Sequence, residues 1–129
     1  MKRIIIADDS GTARMFIRRC FEIAGCRDAE FMEASHGRQV LEILESQSAD
    51  IVVTDLNMPE MNGRELLRRI KEMPGSRDIP VMVVTSAANP EKVQELERMG
   101  AFAILGKPLS PSSLSPVLKP LLASGEDKS

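Results

Sequence analysis

Five polar residues suited to metal and phosphoryl chemistry come at the ends of short apolar runs, namely Asp8, Asp9, Asp55, Thr85 and Lys107. Short runs rich in β-branched side chains are typical of buried strands. The carboxyl ends of parallel strands meet at one edge of a sheet, and open α/β sheets bind their ligands there. We therefore expect these five side chains to lie close together.

The residue types indicate which chemistry such a cluster would perform. Carboxylates as close as those of Asp8, Asp9 and Asp55 repel one another and need a cation. Oxygen ligands with room left for water suit Mg²⁺. An ammonium and a hydroxyl beside the metal, from Lys107 and Thr85, would neutralise and hydrogen-bond the oxygens of a phosphoryl group. Asp55 could itself accept that group as a nucleophile.

Each of these residues also has an ordinary structural role open to it. Asp8 and Asp9 could cap the helix that follows them, and Asp55 could be a turn residue. Thr85 could also be a cap, although Asn89 suits that role better, and a lysine is by default a surface residue. The predicted convergence of all of them at one sheet edge favours a shared site.

Asp55 is the residue around which the predicted elements are arranged. It ends the apolar run 51–54, and the Pro, Asn and Gly residues of 56–63 require a turn. Four similar units, each an apolar run followed by a helical pattern, precede and follow it in the sequence. Strands are predicted at 4–7, 29–34, 51–54, 81–84 and 101–105, and helices at about 12–24, 37–47, 62–72, 90–99 and 111–122.

Alternating strands and helices predict an α/β fold with a doubly wound, five-stranded parallel sheet and helices on both faces. The charged residues in 29–34 indicate an edge strand. The first helix should bury a stripe that contains Phe16, Ile17 and Cys20, with Arg14 on its solvated face. His36 is predicted to be solvated at the start of the second helix.

The last helix should be short, kinked or late-starting, because Pro116 and Pro120 would each cost about 3 kcal/mol in a helix interior. We predict one domain over 1–123, with no output domain, and a frayed polar tail over 124–129.

Composition excludes several classes of protein. Its 129 residues carry 17 basic and 19 acidic side chains, a balance that argues against nucleic acid as a partner. Apolar runs are too short for a signal peptide core or a membrane span, so we expect a cytoplasmic protein without membrane insertion. Cys20 and Cys26 match no redox or zinc spacing and are expected to be free thiols.

Taken together, these motifs resemble the receiver domains of two-component response regulators, in particular the single-domain, chemotaxis-type (CheY-like) members. The resemblance covers Arg3 to about Leu109. The matching segments are Asp8-Asp9-Ser10, Glu33 to Gly37, Asp55 to Gly63, Thr85, and Gly106-Lys107-Pro108. It implies a flavodoxin-like sheet of strand order 2-1-3-4-5.

The resemblance also implies roles for single residues. Asp55 would accept a phosphoryl group from a sensor histidine kinase or a phosphotransfer protein. Mg²⁺ would be held by Asp8, Asp9, Asp55 and the backbone carbonyl of Asn57. Lys107 would pair with the phosphoryl group and precede a cis proline, and Thr85 would move towards it.

The resemblance further implies how the signal leaves the domain. A downstream protein would bind the face made by the fourth helix, fifth strand and fifth helix. The chain would be a monomer or weak dimer and a signalling module, with no catalytic turnover beyond its own phosphorylation and dephosphorylation.

The sequence departs from the family pattern at its switch position. Receivers often have Tyr or Phe three residues before the lysine, and here that residue is Ile104. Isoleucine has no hydroxyl and less bulk to swing, and Phe102, on the same face by strand alternation, is a poor substitute. Ser86 replaces a common alanine.

Three alternative functions share parts of this pattern. A degenerate receiver would bind partners without phosphorylation; Ile104 favours this hypothesis, and the intact acids, Thr85 and Lys107 argue against it. An aspartyl-phosphate phosphohydrolase would have two acids separated by one residue on its first strand, whereas Asp8 and Asp9 are adjacent. A flavodoxin would need aromatic flavin stackers, and the chain has no Trp or Tyr.

Overall fold

Strands and helices alternate along the chain, as the sequence pattern predicts. The computed structural model describes residues 1–127, with side chains described as far as residue 123. The strands are β1 (Arg3–Ala7), β2 (Glu30–Ala34), β3 (Ile51–Thr54), β4 (Val81–Thr85) and β5 (Ala103–Gly106). The helices are α1 (Gly11–Ile23), α2 (Gly37–Ser46), α3 (Gly63–Glu72), α4 (Pro90–Arg98) and α5 (Pro111–Asp127).

All five strands are parallel and lie in the order β2-β1-β3-β4-β5. This confirms the predicted doubly wound sheet and the edge position of β2. The register pairs Ala7 with Thr54, and Thr54 with Val83. The ends of β1 and β3 are level and β4 runs two residues further, so the residues that follow these strands meet at one edge of the sheet.

The sheet is covered on both faces, so its three central strands are buried and apolar rather than alternating. One face, with Ile5 and Val52, packs against α2, α3 and α4. The other face, with Ile6 and Val53, packs against α1 and α5. Both cysteines are free and Cys20 lies in this second core, as predicted. Cys26 is buried there as well.

The buried stripe of α1 differs from the predicted one at a single aromatic residue. Phe16 was expected to face the core, but it is 48% exposed, while Phe21 is fully buried. The stripe centres on Ile17, Cys20 and Phe21. Phe16 lies roughly 100° around the helix axis from Ile17, at the margin of that stripe. The prediction for Phe16 was wrong because the pattern is compatible with either phenylalanine.

The prediction of a short or late-starting last helix was also wrong. α5 begins at Pro111 and runs for 17 residues through Pro116 and Pro120. Both inner prolines are exposed, so water can solvate the carbonyl groups that lose an N–H partner. Leu114 and Leu118 are fully buried on the other side and hold the helix to the sheet. A kink at the prolines stays a prediction.

The predicted frayed tail began at residue 124, whereas α5 includes residues 124–127. The last two residues of that tail, 128 and 129, lie outside the described residues. Within residues 1–127, no helix combines the length and the hydropathy needed to cross a membrane.

Candidate metal and phosphoryl site

Asp8 and Asp55 are placed by backbone hydrogen bonds that continue the sheet one residue beyond its strands. The Asp55 amide donates to the carbonyl of Ala7 at 3.0 Å, and the Asp8 amide donates to the carbonyl of Ala34 at 3.0 Å. Both carboxyl groups therefore project from the rigid edge of the sheet. Asp8 is 1% exposed and Asp55 is 7% exposed.

Three of the predicted site residues form one acidic cluster. Asp8, Asp9 and Asp55 each place a carboxylate oxygen within 4.8 Å of the other two. Asp9 is the exposed member, so the cluster opens to solvent on its side. Buried carboxylates this close are mutually destabilising unless a cation joins them.

Lys107 supplies part of the missing positive charge. Its Nζ lies 2.7 Å from Asp8 Oδ2 and 3.4 Å from Asp55 Oδ2. Burial lowers the pKa of Lys107, but the hydrogen bond to Asp8 and the charges of Asp55 and Asp8 outweigh it, so the pKa lies above its ordinary value. Lys107 is therefore an ammonium at neutral pH.

The donor set of the cluster fits a hard divalent cation. One ammonium leaves two of the three carboxylate charges uncompensated, and all the side-chain donors are oxygens. An exposed third carboxylate leaves room for coordinated water, which Mg²⁺ usually retains. Asp8, Asp9 and Asp55 are the residues that would hold this ion. Asn57 is exposed in the loop after Asp55, and the role of its carbonyl stays a prediction.

Thr85 is fully buried at the end of β4. Its carbonyl accepts from the Lys107 amide at 2.9 Å, which ties the ends of β4 and β5 together. Its Oγ1 accepts from the Ala87 amide at 3.1 Å, so the hydroxyl is linked to the loop that leads to α4. The bond between Lys107 and Pro108 is cis, as predicted.

Gly63 is a residue of the site region whose importance the sequence analysis missed. It begins α3, and its amide donates to the carbonyl of Leu56 at 2.9 Å. A Cβ at this position would lie 2.1 Å from the carbonyl oxygen of Asp55. Only glycine lets α3 start so close to the backbone of Asp55. The sequence signal was the pair Asn62-Gly63, and Asn62 caps α3 by accepting from the Glu65 amide.

Arg14 is the second missed residue. It was expected on a solvated helix face, but its side chain is only 20% exposed. Its Nη1 donates to the carbonyl of Asp8 at 2.5 Å, and its Nε donates to Glu33 Oε1 at 2.8 Å. A signal was present in the sequence, since a cation in the first turn of a helix opposes the helix dipole and suggests a specific partner.

The remaining predicted residues lie around the site. Ile104 is partly buried against the core on the α2–α4 side of the sheet. Phe102 precedes β5 and is 38% exposed. Ser86 is exposed after Thr85. His36 was predicted to be solvated, but its side chain is only 18% exposed, and its Nδ1 accepts from the Gln39 amide and caps α2.

Comparison with known proteins identifies a family for this arrangement. The family model described as "Response regulator receiver domain" matches residues 4–119. A chemotaxis protein CheY homolog of Campylobacter jejuni is 30% identical over 95% of this chain and 94% of its own length. The sensory/regulatory protein RpfC of Xanthomonas campestris is 34% identical over 95% of this chain, but the chain spans only 17% of RpfC.

Solved structures agree with the family match. Chemotaxis response regulator CheY4 of Vibrio cholerae superposes with a TM-score of 0.78 at 29% identity, covering 95% of this chain and 98% of that one. The receiver domain of a Syntrophus aciditrophicus signal transduction histidine kinase gives a TM-score of 0.81 at 29% identity, covering 96% and 92%. Sequence, sheet order and acidic cluster therefore agree, and the chain belongs to the response regulator receiver domain family.

Proposed function

We propose that this chain is a cytoplasmic response regulator receiver that accepts a phosphoryl group on Asp55 from the phosphohistidine of a sensor histidine kinase or phosphotransfer protein. The observation that carries the proposal is the nearly buried Asp55 carboxylate, which shares one sheet edge with Asp8, Asp9 and Lys107. Such a cluster suits the transfer of a highly charged group.

Each residue has a defined part in that transfer. An Asp55 oxygen attacks phosphorus, and the bond between phosphorus and the donor ring nitrogen breaks. The donor ring, which already carries a proton on its other nitrogen, leaves as neutral imidazole. Lys107, which bridges Asp8 and Asp55, neutralises a phosphoryl oxygen. The Thr85 hydroxyl donates a hydrogen bond to another. Mg²⁺ held by Asp8, Asp9 and Asp55 would supply the remaining charge neutralisation.

A reorientation of the Thr85 hydroxyl would carry the signal to the surface that binds the downstream protein. If its hydroxyl turns towards the phosphoryl group, the hydrogen bond from Ala87 breaks, and the loop before α4 is released. We propose that a downstream protein reads this change at the face formed by α4, β5 and α5. Ile104 would change its packing without the swing of an aromatic ring.

The phosphodonor would approach over α1. Met15, Phe16 and Ile23 are 71%, 48% and 59% exposed, which is unusual for large apolar side chains on one helix. Phe16 and Pro108 line a shallow groove that begins at Lys107, so the exposed ring of Phe16 is next to the acceptor site. A donor histidine must reach that site, and an apolar helix of the donor beside it would cover Phe16.

The test is the mass of the intact protein after incubation with acetyl phosphate and Mg²⁺, beside Asp55→Asn and a chelated control. We expect one phosphoryl adduct that requires both Asp55 and the metal. A folded wild-type protein that forms neither this adduct nor a beryllofluoride complex would refute the proposal. A binding module that works without phosphorylation, the hypothesis that Ile104 favours, would then be preferred.

A further inference from the structure

Arg14 joins three parts of the fold directly behind the acidic cluster. It lies in the first turn of α1, its Nη1 contacts the carbonyl oxygen of Asp8 at 2.5 Å, and its Nε contacts Glu33 Oε1 at 2.8 Å. Glu33 precedes the last residue of β2, Ala34, whose carbonyl accepts from the Asp8 amide. The guanidinium therefore fastens the loop after β1 to both α1 and β2.

The carbonyl that Arg14 holds belongs to the peptide group between Asp8 and Asp9. Fixing the oxygen of that group fixes the plane of the peptide, and so the direction in which the next side chain leaves the backbone. Asp9 is the exposed acid of the cluster, and the sheet does not bury it as it buries Asp8. The place of the Asp9 carboxylate depends on this short piece of backbone.

Other contacts hold the same loop from the opposite side. The Ser10 amide donates to Asp8 Oδ1 at 2.9 Å, and the Ser10 hydroxyl accepts from the Ala13 amide at 3.2 Å. Without Arg14, these local bonds would still define the start of α1. They do not reach the Asp8 carbonyl, which Arg14 binds. The domain can therefore fold without Arg14 while losing the alignment of Asp9.

The charge of Arg14 alone would act against a bound cation. A guanidinium near the cluster repels Mg²⁺, and Glu33 offsets that charge locally. Removing the charge should by itself tighten cation binding, whereas removing the hydrogen bond to the Asp8 carbonyl should weaken it. The sign of the change therefore separates an electrostatic role from a positioning role.

We propose that Arg14 is a positioning residue for the divalent cation, which orients the Asp8–Asp9 peptide so that both carboxylates meet the metal. This inference rests on the cation site of the proposed function. Partners that orient metal ligands are typically worth a factor of roughly 10 to 100 in metal affinity. We expect Arg14→Ala to weaken cation binding within that range.

The experiment measures Mn²⁺ binding to the full chain by electron paramagnetic resonance of the free ion, for wild type, Arg14→Ala, Arg14→Lys and Arg69→Ala. Arg69 is exposed on α3, on the opposite face of the sheet, and controls for the loss of one positive charge. Lysine keeps the charge of Arg14 but can reach only one of its two acceptors at a time. We expect Arg14→Lys to bind with intermediate affinity and Arg69→Ala to bind like wild type.

Circular dichroism at the same temperature shows whether each variant is folded. Weaker Mn²⁺ binding by folded Arg14→Ala supports the inference, and equal or tighter binding overturns it. If Arg14→Ala does not fold, Arg14→Lys decides by the same criterion. Failure of wild type to bind Mn²⁺ would instead overturn the cation site of the proposed function, so the two failures are distinguishable.

A second readout uses phosphorylation by acetyl phosphate at increasing Mg²⁺ concentrations. A positioning role predicts that the Mg²⁺ concentration for half-maximal rate rises in Arg14→Ala while the rate at saturating Mg²⁺ is nearly retained. A lower saturated rate with an unchanged half-maximal concentration would contradict the inference.

Discussion

Replacing Gly63 with alanine should destabilise the domain far more than the same change at Gly75. A Cβ added at Gly63 would lie 2.1 Å from the Asp55 carbonyl oxygen, 2.9 Å from its carbonyl carbon and 3.0 Å from Leu56 Cα. Favourable non-bonded contacts begin at about 3.5 Å, so the chain must move by more than about 1 Å. All three atoms belong to the backbone, which has no rotamer to change.

The expected free-energy change follows from two contributions. Overpacking in rigid surroundings costs about 1–3 kcal/mol, and occasionally more. The displaced helix start also weakens the hydrogen bond from the Gly63 amide to Leu56, which adds about 1 kcal/mol. We expect Gly63→Ala to lower the free energy of unfolding by about 3 kcal/mol. The same displacement should disturb Asp55 and slow its phosphorylation in the fraction that remains folded.

Urea unfolding followed by circular dichroism provides the assay, since the chain has no Trp or Tyr for intrinsic fluorescence. Gly75→Ala is the matched control because a Cβ there would have no atom within 4 Å. Its expected effect is within about 0.5 kcal/mol of wild type, or slightly stabilising. A loss below about 1 kcal/mol at Gly63, or equal losses at both glycines, would refute the reasoning.

Four further predictions test other parts of the fold. Burial raises the pKa of Asp50, but hydrogen bonds from the backbone amides of Arg3 and Lys2 and the charge of the amino terminus outweigh the effect of burial. The pKa of Asp50 therefore lies below its usual 3.8. The ionised Asp50 therefore stabilises the fold above pH 3.8, and this stabilisation is lost as the pH falls through the lower pKa of the folded state. Asp50→Asn should narrow the difference between the urea midpoints measured at pH 7 and at pH 3. Glu60 has a φ of 63°, so Glu60→Asn should be about 1 kcal/mol more stable than Glu60→Ala in urea unfolding, and equal stability would show that no strain is relieved. Pro116→Ala restores an N–H for the carbonyl of Ser112 in α5 and should raise the unfolding free energy by about 1–3 kcal/mol; a decrease would mean that the proline is not a defect. Phe16→Ala should leave phosphorylation by acetyl phosphate unchanged and slow transfer from a phosphorylated kinase that serves the wild type, whereas equal slowing from both donors would argue against docking on α1.

The replacement of an aromatic residue by Ile104 makes the coupling between Asp55 and α4 the least conventional part of this receiver. Helix α4 is held by the fully buried Leu96 and by an ion pair from Arg64 Nη2 to Glu95 Oε2 at 2.7 Å. An exposed ion pair of this kind contributes about 0–1 kcal/mol. In the proposed function, a change at the loop after Thr85 would reach α4 without the rearrangement of a large side chain.

The elements, and the meeting of Asp8, Asp9, Asp55 and Lys107 at one sheet edge, could be predicted from the sequence alone. Strand and helix periodicities are local properties, and a short apolar run that ends in Asp55 or in Asp8 indicates its own place at a strand end. Parallel connections then bring these ends to one edge, so the cluster with Lys107 followed without any knowledge of distances. The strand order was implied by the family resemblance and not by the pattern.

Tertiary packing decided the features that depend on which surfaces meet. Phe16 and Phe21 flank the apolar stripe of α1 on opposite sides, and only contact with the sheet and α5 selects Phe21 for burial. Pro116 and Pro120 contradict helix propensity. α5 persists because its opposite side is buried and the prolines face water. Local preference costs about 3 kcal/mol per proline, and the burial of Leu114 and Leu118, together with the partly buried apolar residues of α5, offsets that cost.

The same distinction separates the acids from the residues that position them. Asp8 and Asp55 carry a chemical signature in the sequence, because their type and strand position suffice to predict a role. Arg14 and Gly63 act through contacts with backbone groups, a carbonyl for Arg14 and a helix start for Gly63. Those contacts join residues whose proximity exists only after the sheet and helices have packed. The sequence by itself therefore determined which groups could react, and the tertiary structure decided how they are held.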